Sequence, residues 1–185
     1  MTRKQSKLLT TFLTLLIAAL LSIQQGGLSL LHLPQLPSVA STYGTSSYPV
    51  VHVVDGDTVD IERRGVKERV RLIGINSPES VDPRRSVECF GKEASKYARS
   101  ILAGQRVTVA TDPTQAIKDK YGRRLFYVYL PDGRSFNELM IREGYAYEYT
   151  YHTPYRYQQE YKAAERDAQA NMRGLWASTT CNGFK

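Results

Sequence analysis

The sequence predicts a mainly β protein of the α+β class, with five strands and about three helices. Two observations lead to this prediction. Five segments of strand length are separated by turn residues, and three other segments repeat apolar residues at helical spacing. One helical segment follows the third strand, one follows the fifth, and one ends the domain, so βαβ crossovers cannot form throughout. A small, mostly antiparallel Greek-key barrel satisfies this order.

The first three strands are predicted to form a meander. The segments YPVVHVVD, TVDIERRG and VKERVRLIGI each have strand length, and Val59 and Ile61 alternate with polar residues in the second. Gly56 and Gly65 lie at the two junctions and indicate tight turns. The other two strands are predicted in QRVTVAT and LFYVYL, on either side of the polar loop DPTQAIKDKYGRR.

Three helices complete the predicted fold. GKEASKYARSIL repeats its apolar residues at helical spacing, and SFNELMIREG has Ser135 as an N-cap and Gly144 just beyond its C-terminus. The last helix is predicted from about Pro154 to Ala170. Its apolar stripe consists of Tyr157, Tyr161, Ala164 and Ala168. A five-stranded Greek-key barrel with helices in these places is of the OB-fold type.

The amino-terminal region, residues 1–40, is predicted to direct export. MTRKQSK is positively charged, and Leu8–Ile23 is an uncharged apolar run, shorter than the roughly 20 residues of a membrane-spanning helix. The small residues Ser38 and Ala40 fit signal-peptide cleavage after Ala40. The alternative is an uncleaved membrane anchor through residues 8–33 with the domain outside. In both cases the domain is exported, either as a secreted protein or to the periplasm or cell envelope.

The rest of the chain is predicted to contain a linker at 41–47, one folded domain at 48–178 and a tail at 179–185. The chain has a formal charge of +7, and the export region holds three of these charges, leaving +4 for the remainder. Such a charge suits a polyanionic partner but does not identify one. The domain is expected to be a monomer.

The two cysteines, Cys89 and Cys181, form an even pair in a chain that is predicted to be exported. A disulfide between them is therefore expected, tying the carboxyl-terminal tail to the start of the first helix. Two unrelated free thiols are the alternative, because a sequence does not show which residues are close in space.

Oxygen-bearing side chains concentrate at the ends of two predicted strands. VDGDTV contains Asp55 and Asp57, and INSPE contains Asn76, Ser77 and Glu79. If the strands pair as a meander, both ends meet at one rim of the barrel. An all-oxygen cluster without Cys or His suits Ca²⁺ or Mg²⁺ and argues against zinc. For DGD alone, a hairpin turn is the alternative.

Two segments predict contacts with a polyanion. Arg71 alternates with apolar residues in VRLIGI, so its guanidinium lies on the face opposite them and can clamp a phosphate. A snorkelling surface arginine is the alternative. In DKYGRR, Lys120 and Arg123 supply charge and Tyr121 supplies an aromatic face, a combination that suits a nucleic-acid strand. A solvated charged loop is the alternative there.

Five motifs together resemble the staphylococcal (micrococcal) nuclease family, the thermonucleases. VDGDTV, VRLIGINSPE, ECFGKEAS, DKYGRRLFYVY and GLW occur in the order and spacing of that family, across Tyr48–Trp176. The resemblance implies an OB barrel that acts as a Ca²⁺-dependent phosphodiesterase. It further implies cleavage of both DNA and RNA, with little sugar specificity, to leave 3′-phosphates.

The resemblance also implies a role for each matched residue. Arg71 and Arg123 match the arginines that grip the scissile phosphate, and Glu79 matches the glutamate that positions or deprotonates the attacking water. The matched calcium ligands are Asp57, Asn76 and the backbone carbonyl of Ser77, with Asp55 as an acid behind them. Lys120 and Tyr121 are expected to bind substrate.

Asn76 departs from the family, which typically has an aspartate at this position. The change removes a negative charge from the ligand set, so weaker calcium binding with retained chemistry is expected. The resemblance does not fix the register of the tyrosines in 145–151, so the predicted site does not include them. The rival function is a non-catalytic OB-fold nucleic-acid-binding module. Arg71, Glu79 and Arg123 together argue against it, since a binder needs no lone glutamate facing a polyanion.

Overall fold

The computed structural model describes residues 46–84 and 86–184, so the predicted export region and residues 41–45 of the predicted linker lie outside the described residues. No helix within these two ranges is long and apolar enough to cross a membrane. In chain order the elements are β1 (Ser47–Val53), β2 (Thr58–Arg63), β3 (Val66–Leu72), β4 (Ile75–Asn76), α1 (Gly91–Leu102), β5 (Arg106–Ala110), β6 (Arg124–Tyr129), α2 (Phe136–Arg142), β7 (Tyr147–Glu148), α3 (Gln158–Ala170) and a 3₁₀ helix (Gly174–Trp176).

Five strands close into a barrel in the order β1–β2–β3–β6–β5. The strands β1, β2 and β3 form the predicted antiparallel meander. β6 pairs in parallel with β3, and β5 closes the barrel by pairing antiparallel with both β6 and β1. The prediction of an OB-type α+β barrel is therefore confirmed.

The alternation of side chains along β3 separates core from surface. Val70 and Leu72 are buried inside the barrel, whereas Arg71 between them is only partly buried and lies on the opposite face. The sequence prediction for the orientation of Arg71 is thus confirmed. β2 contributes Val59 and Ile61 to the same core, and both are fully buried.

Helix α2 positions the chain where it leaves β3. The helix begins after Ser135, whose Oγ accepts a hydrogen bond from the Glu138 amide at 3.2 Å, as the N-cap prediction requires. Asn137 is completely buried, and its Nδ2 donates to the Ile73 carbonyl at 2.9 Å while its Oδ1 accepts from the Val128 amide at 2.9 Å. This one side chain links α2, β6 and the segment that follows β3.

The last helix begins at Gln158, and the predicted start at Pro154 was wrong. The carbonyl of Pro154 accepts a hydrogen bond from Thr114 Oγ1 at 3.0 Å, and the Arg156 amide donates to Asp112 Oδ2 at 2.7 Å. Both partners come from the loop before β6. Tertiary hydrogen bonds therefore hold these residues outside the helix.

A second, two-stranded sheet was not predicted. β4 and β7 pair antiparallel, with Ile75 opposite Glu148 and Asn76 opposite Tyr147. Each strand has only two residues, too short for a recognisable alternation in the sequence. The sheet anchors Asn76 to the tyrosine-rich segment.

Cys89 and Cys181 form a disulfide with a Cα–Cα distance of 5.9 Å, which confirms the predicted pairing. The bond joins residues 92 positions apart and attaches the tail to the chain just before α1. Closing a loop of that length in the unfolded chain stabilises the fold by about 4–5 kcal/mol in the chain-entropy treatment. Cys181 also packs with Tyr147 and Leu175 in a second, smaller apolar cluster.

Candidate active site

Two neighbouring strands bring Asp57 and Arg71 together. Thr58, the first residue of β2, is the register partner of Arg71, so Asp57 immediately before it reaches the end of β3. Nη2 of Arg71 lies 3.1 Å from Oδ2 of Asp57, and the two side chains are only 13% and 9% exposed. A pair so shielded from water interacts more strongly than a surface ion pair.

Three further oxygen atoms fix the Arg71 guanidinium. Nη1 donates to the carbonyls of Leu72 and Ile75, both at 2.8 Å. Nη2 donates to Oδ1 of Asn76 at 3.3 Å. The cation is therefore held in one orientation between the ends of β3 and β4, with an edge turned toward both Asp57 and Asn76.

The turn before β2 packs tightly against the chain after β4. Oδ2 of Asp57 accepts a hydrogen bond from the Ser77 amide at 2.9 Å, and Oδ1 accepts from Thr58 Oγ1 at 2.9 Å. Gly56 permits this approach, because a Cβ at Gly56 would lie 2.6 Å from Cβ of Ser77. The glycine of DGD is thus required by close packing.

Asp55 lies directly behind Asp57. Its Oδ1 accepts a hydrogen bond from the Asp57 amide at 3.0 Å. Burial, and then the charge of Asp57, raise the pKa of Asp55 to about 7. Two carboxylates held together out of water disfavour full ionisation, and a second cation beside Arg71 would favour the ionised form of both.

The oxygen atoms around Asp57 fit a calcium ion in their chemistry. Asp57, Asn76 and Ser77 offer a carboxylate, an amide oxygen and a backbone carbonyl, all of which are hard donors. Among the residues that the structure describes, no group of three or more His, Cys, Asp or Glu side chains is arranged to hold a metal. The predicted set therefore depends on neutral donors, and calcium binding by it stays a prediction.

Glu79 is held in the turn that follows β4. Its Oε1 accepts hydrogen bonds from the amides of Ser80 and Val81, both at 2.8 Å, and of Asp82 at 3.0 Å. The backbone of Glu79 is held in turn by Glu88, whose Oε2 accepts from the Glu79 amide at 2.9 Å. The carboxylate thus has a defined orientation three residues beyond Asn76.

The loop before β6 carries the other predicted residues. Asp119 organises it, since its Oδ1 accepts from the amides of Tyr121 and Arg123, both at 2.9 Å, and its Oδ2 accepts from Nε of Arg123 at 2.6 Å. Tyr121 is 71% exposed, and the charged groups of Lys120 and Arg123 lie 5.1 and 5.4 Å from the centre of its ring. The predicted combination of charge and aromatic surface is present.

Arg123 is close to the strand that carries Arg71 but is engaged elsewhere. Leu125 in β6 is the register partner of Arg71, which places the end of the loop beside β3. In the described part of the chain, Arg123 contacts Asp119 and Tyr121, whereas Arg71 contacts Asp57 and Asn76. The structure brings Asp55, Asp57, Arg71, Asn76 and Ser77 into one cluster and leaves the Lys120–Arg123 loop adjacent to it.

The structure also locates the tyrosines of 145–151. Tyr145 stacks on Tyr97 with ring centres 4.0 Å apart, and Tyr147 is buried, whereas Tyr149 and Tyr151 are exposed. Tyr151 contacts the rings of Tyr149 and His152, with ring centres 6.3 and 4.0 Å away. Two of the four rings are therefore available on the surface.

Sequence analysis missed three residues that support the site. Thr58 holds Asp57, Glu88 holds the Glu79 turn, and Asp119 holds Arg123. Only Asp119 had a usable signal, because an aspartate two residues before the tyrosine of DKYGRR is typical of an Asx turn. Thr58 is adjacent to Asp57, but a threonine next to an aspartate does not by itself predict their hydrogen bond, and Glu88 lies nine positions from Glu79.

Known proteins resemble this chain throughout the described region. The family profile named "Staphylococcal nuclease homologue" matches residues 69–178. A thermonuclease from Staphylococcus hyicus is 34% identical over 177 residues, covering 93% of this chain and 99% of that protein. A thermonuclease from Staphylococcus intermedius is 41% identical over 130 residues, or 70% of this chain and 76% of that protein. Endonuclease YncB from Bacillus subtilis is 31% identical over 135 residues, or 71% and 63% of the two chains.

Proposed function

The chain belongs to the staphylococcal nuclease family, and on this premise we propose that it is an exported, calcium-dependent nuclease. It hydrolyses phosphodiester bonds of DNA and RNA with little sugar specificity and leaves 3′-phosphates. The observation that supports this most directly is the fixed Arg71 guanidinium, which contacts both Asp57 and Asn76. Asn76 lies three residues before Glu79. The names of the relatives, thermonuclease and endonuclease, agree with hydrolysis of nucleic acid.

Arg71 binds the scissile phosphate in this proposal. Its guanidinium is preorganised by two carbonyls, so little reorganisation accompanies the growth of negative charge on the phosphate oxygens. Arg123 supplies a second cation from the neighbouring loop. To do so it exchanges part of its contact with Asp119 for a phosphate oxygen, a change that a loop residue can make at small cost.

Glu79 orients the attacking water and accepts its proton. The new bond forms between the water oxygen and phosphorus, and the bond from phosphorus to the 5′ oxygen breaks. The phosphate stays on the 3′ oxygen, and the released 5′ oxygen takes a proton from solvent. A positioned carboxylate of this kind accelerates such a step by about 10²–10⁴.

Asp57, Asn76 and the Ser77 carbonyl hold the calcium ion, with Asp55 behind them. When bound, the ion supplies Lewis-acid stabilisation of phosphate charge and a template for the water. Lys120 and Tyr121 hold the adjoining strand by charge and by stacking. The disulfide between Cys89 and Cys181 supports an oxidising destination, in agreement with export as a secreted or cell-envelope protein.

The test is degradation of plasmid and of single-stranded DNA by the purified domain with calcium, repeated with EGTA. Cleavage that requires calcium and leaves 3′-phosphate ends supports the proposal. Binding to DNA without cleavage at any calcium concentration contradicts the proposal and favours a non-catalytic OB-fold binding module. The exposed Tyr121 and its flanking cations would bind nucleic acid in such a module as well.

A further inference from the structure

Strand β3 carries cations beyond the candidate active site. Lys67 and Arg69 alternate with the same inward residues as Arg71, so all three project from the outer face of the barrel. Successive members of this row are about 6.5–7 Å apart along the strand. Arg71 ends the row at the rim, and the other two extend it toward the turn at Gly65.

A buried carboxylate on β2 holds the two additional cations. Asp60 is the register partner of Arg69, and its side chain is fully buried. Its Oδ1 accepts from Nε of Arg69 at 2.8 Å, and its Oδ2 lies 2.9 Å from Nζ of Lys67. The side chains of Arg69 and Lys67 remain 50% and 59% exposed, respectively. The surface here is therefore positively charged, and the acid is buried beneath the two cations.

Two cations of this row, Lys67 and Arg69, line an open groove. Asp60, Lys67 and Arg69 line one side, and Tyr121, Gly122 and Arg123 line the other, around a volume of about 330 Å³. Three cations and one shielded anion therefore face the groove. The opposite wall is the same loop segment whose exposed aromatic ring is expected to contact substrate.

We infer that this groove binds the phosphates of a nucleic-acid strand beyond the scissile one. The inference rests on the proposed function and adds a binding path to it. The strand leaves Arg71 along β3, Arg69 and Lys67 each contact a phosphate, and Tyr121 offers a face to a base from the opposite wall. Asp60 positions the two cations and does not touch the substrate.

Substrate length tests the inference. The probes are fluorescein-labelled single strands of about twelve and about three thymidines, because sites on OB folds span roughly 4–16 nucleotides. Their affinities are measured by anisotropy in calcium-free buffer, for wild type and for the double variant Lys67→Gln/Arg69→Gln. The longer strand is expected to bind about tenfold more weakly to the variant, with a salt-dependence slope smaller by about 1.4. The shorter strand, confined to the rim, is expected to bind equally.

Two further variants of this chain make the test decisive. Lys96→Gln/Arg166→Gln makes the same charge change on exposed faces of α1 and α3, which do not line the groove. The triple variant Asp60→Asn/Lys67→Gln/Arg69→Gln removes the buried acid together with its partners, in case the double variant is destabilised. An equal loss of affinity in the control, or an equal loss for both strand lengths, overturns the inference.

The two proposals fail in different ways. If the double variant binds the long strand as tightly as wild type while calcium-dependent cleavage is intact, the groove has no role and the nuclease proposal stands. If wild type binds the long strand through Lys67 and Arg69 but never cleaves it, the groove is supported and the nuclease proposal is contradicted.

Discussion

Asp57, immediately before β2, and Asp60, within β2, each bind an arginine of β3, but the two regions differ in how far they are open to solvent. Arg71, bound to Asp57, is 13% exposed and donates to two carbonyls besides. Arg69, bound to Asp60, is 50% exposed, and Lys67 shares the same acid.

The difference indicates how one strand can serve two purposes. At the rim, the arginine is fixed on several sides and lies beside oxygen donors that suit a metal, an arrangement that suits transition-state charge. Along the groove, exposed cations keep their freedom to meet successive phosphates, an arrangement that suits sequence-independent affinity. Rim variants should therefore alter turnover, and groove variants should alter binding.

Glu79→Gln is expected to give the largest effect. Turnover should fall by about 10²–10⁴, because glutamine cannot accept the proton of the water. DNA affinity should change little, since a glutamine Oε1 can still accept from the amides of residues 80–82. Single-turnover cleavage and anisotropy measure the two quantities, with Glu160→Gln on the exposed surface of α3 as the control. Weaker binding at unchanged turnover would assign Glu79 to substrate binding instead.

Asp112→Asn provides a reference outside both regions, a buried carboxylate with a structural role. Asp112 Oδ2 accepts from the Tyr127 hydroxyl at 2.5 Å and from the Arg156 amide at 2.7 Å. Burial alone would raise the pKa of Asp112, but these hydrogen bonds and those from Thr114 outweigh it and lower the pKa. The variant should lose about 2 kcal/mol of unfolding free energy at neutral pH, with little change in the turnover of the folded enzyme.

The pH dependence of that loss has a definite sign. A lowered carboxyl pKa stabilises the fold above the unfolded value near 3.9, and this stabilisation disappears as the pH falls through the folded value. The difference in unfolding free energy between wild type and Asp112→Asn should thus shrink below about pH 4. Urea denaturation at several pH values measures it, with the exposed Asp132→Asn as the control. A difference that does not change with pH would contradict the account.

Asn76→Asp is expected to give a smaller effect, confined to the rim. A second carboxylate should lower the calcium concentration for half-maximal cleavage by about tenfold. Oδ1 of the aspartate can keep the contact with Arg71, so maximal turnover should change little. Calcium titrations of activity measure this, with Asn182→Asp in the exposed tail as the matched control. An unchanged midpoint would mean that residue 76 is not a ligand.

The fold was predictable because its signals are local. Alternation in TVDIERRG, the turns at Gly56 and Gly65, and the N-cap at Ser135 each fix an element without help from distant residues. The start of the last helix was not predictable. Its boundary is set by hydrogen bonds between Thr114 and Pro154 and between Asp112 and Arg156, partners that are 40 and 44 positions apart in sequence.

The site was predictable in its residues but not in its contacts. The motifs named Asp57, Arg71 and Asn76, and strand pairing brings them together. That Arg71 also binds the Ile75 carbonyl depends on the turn at Ile73–Gly74, which Asn137 of α2 holds in place. The row of cations beside the groove could have been predicted, because Lys67, Arg69 and Arg71 share one face of VKERVRL by simple alternation.

The most direct test compares two conservative changes on one face of one strand, Arg71→Lys and Arg69→Lys. Steady-state cleavage of a long single strand with calcium gives kcat and KM for each. Arg71→Lys should lower kcat about 100-fold or more, since lysine cannot reproduce the fixed, forked contacts at the rim. Arg69→Lys should leave kcat unchanged and raise KM by no more than about threefold, because an exposed lysine still attracts phosphate. Equal effects of the two changes on kcat would contradict the division between rim and groove.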